Sequence, residues 1–308
     1  MEFLFERSEE STAAFWWRRA GFYDINLTGM NATMPALEDE LGDVIEKAAR
    51  HARMSYEEVA AAAQVEVGRI QDAVDYRSEL TTPELIRLAR VLKLNEVGLG
   101  ALAQGAYPRP EFGGLPFSLF PVPMPHGVGV TNAYLVSAGG NAALLFDTGA
   151  SHGELHRAWP TQVDQIESVF VTHYEPEHIG GLDRVLAETG LPHFYGPANG
   201  RWVTCTGLGE GEAVEFMGLR VTAHSTPGHA PEHNCYTVGV AGAERPAVLI
   251  SGDLIFAGSL GGGYFCCQRQ LKHARRILEL LDDDVVIAPG HGPLTTVGLE
   301  RRFNPFLV

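Results

Sequence analysis

The chain has 308 residues, 45% of them hydrophobic, with 38 acidic against 23 basic side chains and a formal net charge of -15. That length suits one large globular domain or two unequal ones with a sizeable core. The acidic excess argues against a protein built mainly to hold nucleic acid or to lie on an anionic membrane, and no apolar run of about 18 residues offers a bilayer span.

In chain order, residues 1–35 show no sustained period. Glu2, Glu6, Glu9 and Glu10 crowd the start and no long apolar stretch follows, so no secretory signal is expected and a cytoplasmic location is. The run Phe15-Trp16-Trp17 is read as a docking element or as part of an N-terminal extension. Four cysteines, Cys205, Cys235, Cys266 and Cys267, form no CxxC pair and read as reduced thiols.

Residues 36–106 turn helical. Leu41, Val44, Ile45, Ala48 and Ala49 recur at three-to-four spacing, as do Leu85, Leu88, Ala89 and Leu92. Ser55 and Glu58 form a capping-box pattern, and Pro83 marks a helix start. The segments 56–60, 63–70 and 85–94 resemble a Cro/repressor-type helix-turn-helix. Its would-be recognition helix, however, carries Glu66, Asp72 and Asp75 beside a single Arg69, and residues 36–105 hold 13 acidic against 8 basic side chains. Phosphate contacts supply most protein–DNA affinity, so the expectation is a docking or dimerising helical module, through which a homo-oligomer would form, and not a DNA reader.

Six prolines between 108 and 125 read as a linker entering an edge strand. Beyond it, strands are expected over 132–136, 143–147, 168–172, 219–223, 235–240, 247–250 and 285–288, with helices over 178–189 and 268–281. That alternation is α/β.

Within this second half, Thr172-His173-Tyr174-Glu175-Pro176-Glu177-His178 ends an apolar strand and sets two imidazoles and two carboxylates within six residues. His229, in Thr226-Pro227-Gly228-His229, Asp253, in Ser251-Gly252-Asp253, and His291, in Pro289-Gly290-His291-Gly292, follow at wide intervals, each on a strand-to-loop edge. Seven ligand-type side chains on four separated loops suit a two-metal hydrolytic site, in which two divalent ions roughly 3.5–4 Å apart share a water whose pKa falls to about 7.

With Asn132-Ala133-Tyr134 and Phe146-Asp147-Thr148-Gly149, these motifs make residues 107–308 resemble the metallo-β-lactamase superfamily. The end of the chain, 290–306, looks most like short glyoxalase II-like hydrolases. The resemblance implies an αβ/βα sandwich, here preceded by the small all-α module. It also implies a first metal held by His173, Glu175, His229 and Asp253, and a second held by Glu177, His178, Asp253 and His291. Asp253, His173 and His229 would be the catalytic core. Asp147 would orient a ligand or anchor its loop. The implied activity is hydrolysis of a thioester or related activated ester on a small-molecule substrate, by hydroxide generated at the metal.

The chain departs from the family pattern His-x-His-x-Asp-His at two places, reading His173-x-Glu175-x-Glu177-His178. A carboxylate at 175 biases the first site from zinc toward iron or manganese, and the longer Glu177 leaves open a single-metal site of His173, His229 and Asp253. The His-x-Glu form resembles flavodiiron sites, and that trio resembles the iron ligands of persulfide dioxygenases, so a non-haem iron oxygenase is the second reading. A metal- or ligand-sensing regulator using the helical module is the third. His224 and His233 read as structural, with His233 also placed to orient a substrate. His126 stays unassigned, His152 and Tyr264 read as lining the mouth, and Arg269, Lys272, Arg275 and Arg276 as a solvated helix face.

Overall fold

The computed structural model describes residues 35–127, 129–198 and 204–308. The extension and its Phe15-Trp16-Trp17 run lie outside them. Five helices come first: α1 (Leu41–Ala52), α2 (Tyr56–Ala63), α3 (Val67–Val74), α4 (Thr82–Leu92) and α5 (Glu96–Ala103). Ser55 and Glu58 cap α2 reciprocally, as their spacing implied, and Thr81 and Glu84 do the same for α4, one residue ahead of Thr82. On α3, Arg69 is consumed internally. It grips Glu84 with two hydrogen bonds (2.7 and 2.9 Å) and donates to the Glu79 carbonyl (2.8 Å).

The rest is two six-stranded mixed sheets with helices on their outer faces. The first sheet takes β1 (Ser118–His126), β2 (Gly129–Ser137), β3 (Ala142–Phe146), β4 (Gln165–Phe170), β5 (Phe194–Pro197) and β6 (Cys205–Leu208) in sequence order. The second runs β12-β11-β10-β9-β8-β7, from β7 (Ala213–Phe216), β8 (Leu219–Ser225), β9 (Asn234–Val240), β10 (Val248–Gly252), β11 (Val286–Pro289) and β12 (Thr295–Thr296). The helices of this half are α6 (His152–Arg157), α7 (Pro176–Ile179), α8 (Leu182–Thr189), α9 (Cys267–Leu280) and α10 (Val297–Phe303).

Strand period two divides the apolar residues between layers. Leu144 and Phe146 meet Val248 and Ile250 between the sheets, whereas Ala143 and Leu145 face α6 and α8. Leu249 and Ile287 point outward into a third cluster, shared with α9, α10 and helices α1 to α5. The helical segment thus continues the core of the second sheet. Contact is closest at Gly98, where an added Cβ would lie 1.7 Å from the Phe303 carbonyl oxygen, and Asn95 N–H donates to the Pro305 carbonyl (2.7 Å).

The helix expected over 178–189 is two helices. The break falls at Gly180-Gly181, where the backbone presses on Ala150 and Thr148 and no Cβ fits. The strand expected at 168–172 ends at Phe170, which frees Val171 to Glu175 to form a site loop. Strands β5 to β7 and helices α6 and α10 are short, and their sequences carry too few periods to be read.

Candidate metal centre

Four loops leave the ends of β4, β8, β10 and β11 and converge. His173 and Glu175 follow β4, and His178 sits on α7, whose first residue is Pro176 with Glu175 as its N-cap. His229 lies between β8 and β9, Asp253 follows β10, and His291 follows β11. His173, Glu175 and His229 form one group of ligand atoms within 4.8 Å of one another, and His173, His178 and Asp253 form another. His291 joins through Asp253, with Nε2 3.4 Å from Oδ2. Glu177 stands in neither triad; its carboxylate faces His126 at 4.0 Å.

Every imidazole presents the same edge. The Nδ1–H of His229 donates to the Gly262 carbonyl (2.8 Å) and that of His291 to the Val130 carbonyl (2.8 Å). His178 Nδ1 contacts Asp147 Oδ2 (3.0 Å). His173 Nδ1 meets the Thr172 hydroxyl (3.0 Å), whose own proton goes to Asp147 Oδ2 (2.8 Å). With Nδ1 a donor in each ring, Nε2 is left as the lone-pair nitrogen. The Nε2 atoms of His173, His178 and His229, together with Asp253 Oδ1, are buried without a hydrogen-bond partner.

Buried polar atoms are almost always satisfied, so four orphans around one space need a common partner. Their spacing suits a cation. His178 Nε2 lies 3.4 Å from Asp253 Oδ1, His229 Nε2 3.6 Å from Asp253 Oδ2 and 3.1 Å from Glu175 Oε1. A tetrahedron with metal–ligand bonds near 2.1 Å has edges of about 3.4 Å. The donor set fits a divalent metal.

The charges agree. Burial raises the Asp253 pKa, but the neighbouring His291 and His178 outweigh it and hold the carboxylate well below its ordinary range. Burial, with His178 next to it, pushes His173 well below the usual imidazole value. At His291 burial is overcome by Asp253 and the pKa rises to about 9. His178 and His229 also rise, burial again being outweighed, by Asp253 and Asp147 for the first and by Glu175 and Asp253 for the second. The facing His229 is the main cause that lowers Glu175.

Gly290 lets β11 pass behind the cluster: an added Cβ would lie 2.2 Å from Asp253 Oδ1. Asp147 adopts φ 58°, a left-handed conformation that Asp tolerates better than most residues. From there its carboxylate accepts from Thr172 N–H (2.7 Å), the Thr172 hydroxyl and His178, so it is both loop anchor and orienter.

His233 spends both nitrogens on the protein, Nε2 on the Asp253 N–H (3.1 Å) and Nδ1 on Thr226 (2.8 Å), and is structural. His224 contacts Thr237 (3.0 Å). His152 pairs with Glu188 (2.8 Å) on α8. Tyr264, 70% exposed, sets its ring 5.4 Å from that of His229 and forms a rim. Sequence reasoning missed Glu38, just before α1, whose Oε1 approaches His291 Nδ1 to 3.9 Å; burial raises its pKa. It also gave no role to Thr172. Nothing in the spacing marks Glu38, whereas Thr172 sits inside the motif.

An uncharacterized protein of Mycobacterium tuberculosis is 28% identical over 213 residues, 59% of this chain and 95% of that one. Hydroxyacylglutathione hydrolase of Salmonella dublin is 30% identical over 126 residues, 41% of this chain, and the match spans about half (47%) of that enzyme. Among solved structures, ETHE1 from Myxococcus xanthus superposes with a TM-score of 0.51 at 21% identity, covering 60% of this chain and 83% of its own, a likeness of fold. The model of the metallo-beta-lactamase superfamily matches residues 126–291, more than half of the chain and every ligand-type residue of the cluster; the protein belongs to that superfamily.

Proposed function

We propose that the protein is a metal-dependent hydrolase acting on a thioester or related activated ester of a small molecule. The observation that carries this reading is the convergence of His173, His178 and His229 Nε2 with Asp253 Oδ1, all buried and all without a partner. His173, Glu175, His229 and Asp253 would hold one divalent ion, and His178, Asp253 and His291 a second. When bound, such ions supply a water with a pKa near 7 and polarise a carbonyl. Asp147, Thr172 and the Gly262 and Val130 carbonyls keep the Nε2 edges turned inward. The substrate enters past Tyr264, and a thiol leaving group, with an ordinary pKa of about 8.5, departs as thiolate with little acid assistance. The partial likeness to hydroxyacylglutathione hydrolase supports the thioester class.

A second reading rests on Glu175. Its carboxylate, 34% exposed and 3.1 Å from His229 Nε2, places a hard charged oxygen where the family pattern has a nitrogen. That donor favours iron or manganese, and with iron the same residues suit an oxygenase. One experiment separates the two. Protein purified without added metal is analysed for zinc, iron and manganese, then assayed for thioester cleavage and for oxygen uptake, with and without chelator. Chelator-sensitive cleavage without oxygen uptake supports the hydrolase. Iron with oxygen uptake supports the oxygenase, and protein that retains no metal under any loading condition overturns both.

A further inference from the structure

We infer that the N-terminal helices are a positioning part of the metal centre, acting through the buried pair Asp39–Lys47. The inference rests on the metal-site reading above. Lys47, on α1, is almost wholly covered, with its side chain 15% exposed, and its ammonium is paired with Asp39, whose side chain is 9% exposed. Its second hydrogen bond crosses 213 residues of sequence to the Leu260 carbonyl (2.9 Å). Leu260 lies in the loop that begins at Asp253 and runs to Gly262, whose carbonyl fixes His229. The ammonium also lies 5.6 Å from the Phe256 ring, and that ring is 5.5 Å from the ring of His291. One cation on the helical segment therefore touches the loop that links three candidate ligands.

Burying an ammonium is costly, and a buried ion pair is weak grounds for stability because an apolar pair of similar volume often serves as well. What it supplies is direction. Lys47 fixes where the Leu260 carbonyl points, two residues from Gly262. The rest of the loop is tied to α10: Asn304 donates to the Ser259 carbonyl (2.8 Å), and Glu300 accepts the Gly258 N–H (3.1 Å). Without Lys47 the segment from Leu260 to Gly262 keeps the bond from Gln270 to the Gly261 carbonyl (2.7 Å), a longer one from the Ser259 hydroxyl to the Leu260 carbonyl (3.4 Å) and that of His229 to the Gly262 carbonyl. Partners of metal-bound histidines typically control affinity 10–100-fold, and Lys47 acts one step behind such a partner.

The test uses the full chain and cobalt(II) as probe. Affinity is read by competition with a chromophoric chelator and ligand geometry by visible absorption. Lys47→Met should weaken cobalt binding by roughly tenfold, the low end of the range for such partners, and shift the spectrum. Asp39→Asn combined with Lys47→Met, which leaves no stranded carboxylate, should do the same and carries the test where the single variant fails to fold. Glu84→Gln breaks an ion pair of the same helices away from the loop; it should lower Tm and leave affinity and spectrum unchanged. Wild-type affinity and spectrum in both Lys47 variants overturn the inference, whatever their Tm. A wild-type protein that takes up no cobalt overturns the metal-site reading, and this inference with it.

Discussion

Glu300 offers a prediction whose size follows from the structure. It is fully buried on α10, and four donors converge on it: the Thr295 hydroxyl (2.7 Å), Asn304 Nδ2 (2.8 Å), the Gly258 N–H (3.1 Å) and the Tyr107 hydroxyl (3.1 Å). Burial nevertheless wins and lifts its pKa from 4.5 to about 7. Between those two values the folded chain keeps a proton that the unfolded chain has released, so stability falls as pH rises. At 1.36 kcal/mol per pH unit the loss reaches roughly 3 kcal/mol and is complete above about pH 7. Glu300→Gln removes the titration while its amide oxygen still accepts from Gly258, Tyr107 and Asn304, and its NH2 turns to the Thr295 oxygen. Urea unfolding of both proteins, with chelator present, at intervals from pH 4 to 8 reads the difference directly. The variant should gain on the wild type by roughly 3 kcal/mol across that window. Parallel profiles would refute the reasoning, because they would mean that the buried carboxyl is ionised at no extra cost.

Three further outcomes bear on the metal site. Asp147→Asn cannot accept from Thr172 and His178 as the carboxylate does, and metal affinity should fall about 10–100-fold; an unchanged dissociation constant in chelator competition would remove Asp147 as an orienter. Gly290→Ala puts a methyl 2.2 Å from Asp253 Oδ1, so bound metal per chain, read by elemental analysis, should drop sharply while the far-UV circular dichroism stays native. His291, with its pKa raised to about 9, must lose a proton before Nε2 can bind. Metal uptake should release protons below about pH 9 and tighten as pH rises, which calorimetry in buffers of different ionisation enthalpy will show. In the metal-free chain the sign is opposite: the stability from protonated His291 is full below its ordinary 6.5 and is lost as pH rises through about 9.

The candidate ligand cluster was legible because metal binding constrains residue identity. Imidazole and carboxylate have few substitutes, and His173, His229, Asp253 and His291 each fall just past a strand end, where hydrophobic periodicity stops. Glu175 and Glu177 look alike on paper; the helix start at Pro176 separates them, leaving Glu175 before α7 beside His229 and Glu177 in its first turn beside His126.

The layer behind the ligands could not be read in the same way. His229 and His291 are oriented by main-chain carbonyls, which every residue possesses, so Gly262 and Val130 leave no mark in the sequence. Lys47 obeys the amphipathic pattern of α1 as a solvated residue would, and only the placing of α1 against the loop after Asp253 turns it inward to Leu260. The same packing bears on the proposed role of the helical segment. A module that merely docked a partner would need no buried cation aimed at the loop after Asp253, and a DNA reader would not spend Arg69 on Glu84. Both facts favour the proposed reading, in which the helices complete the sandwich and steady its candidate metal-binding edge.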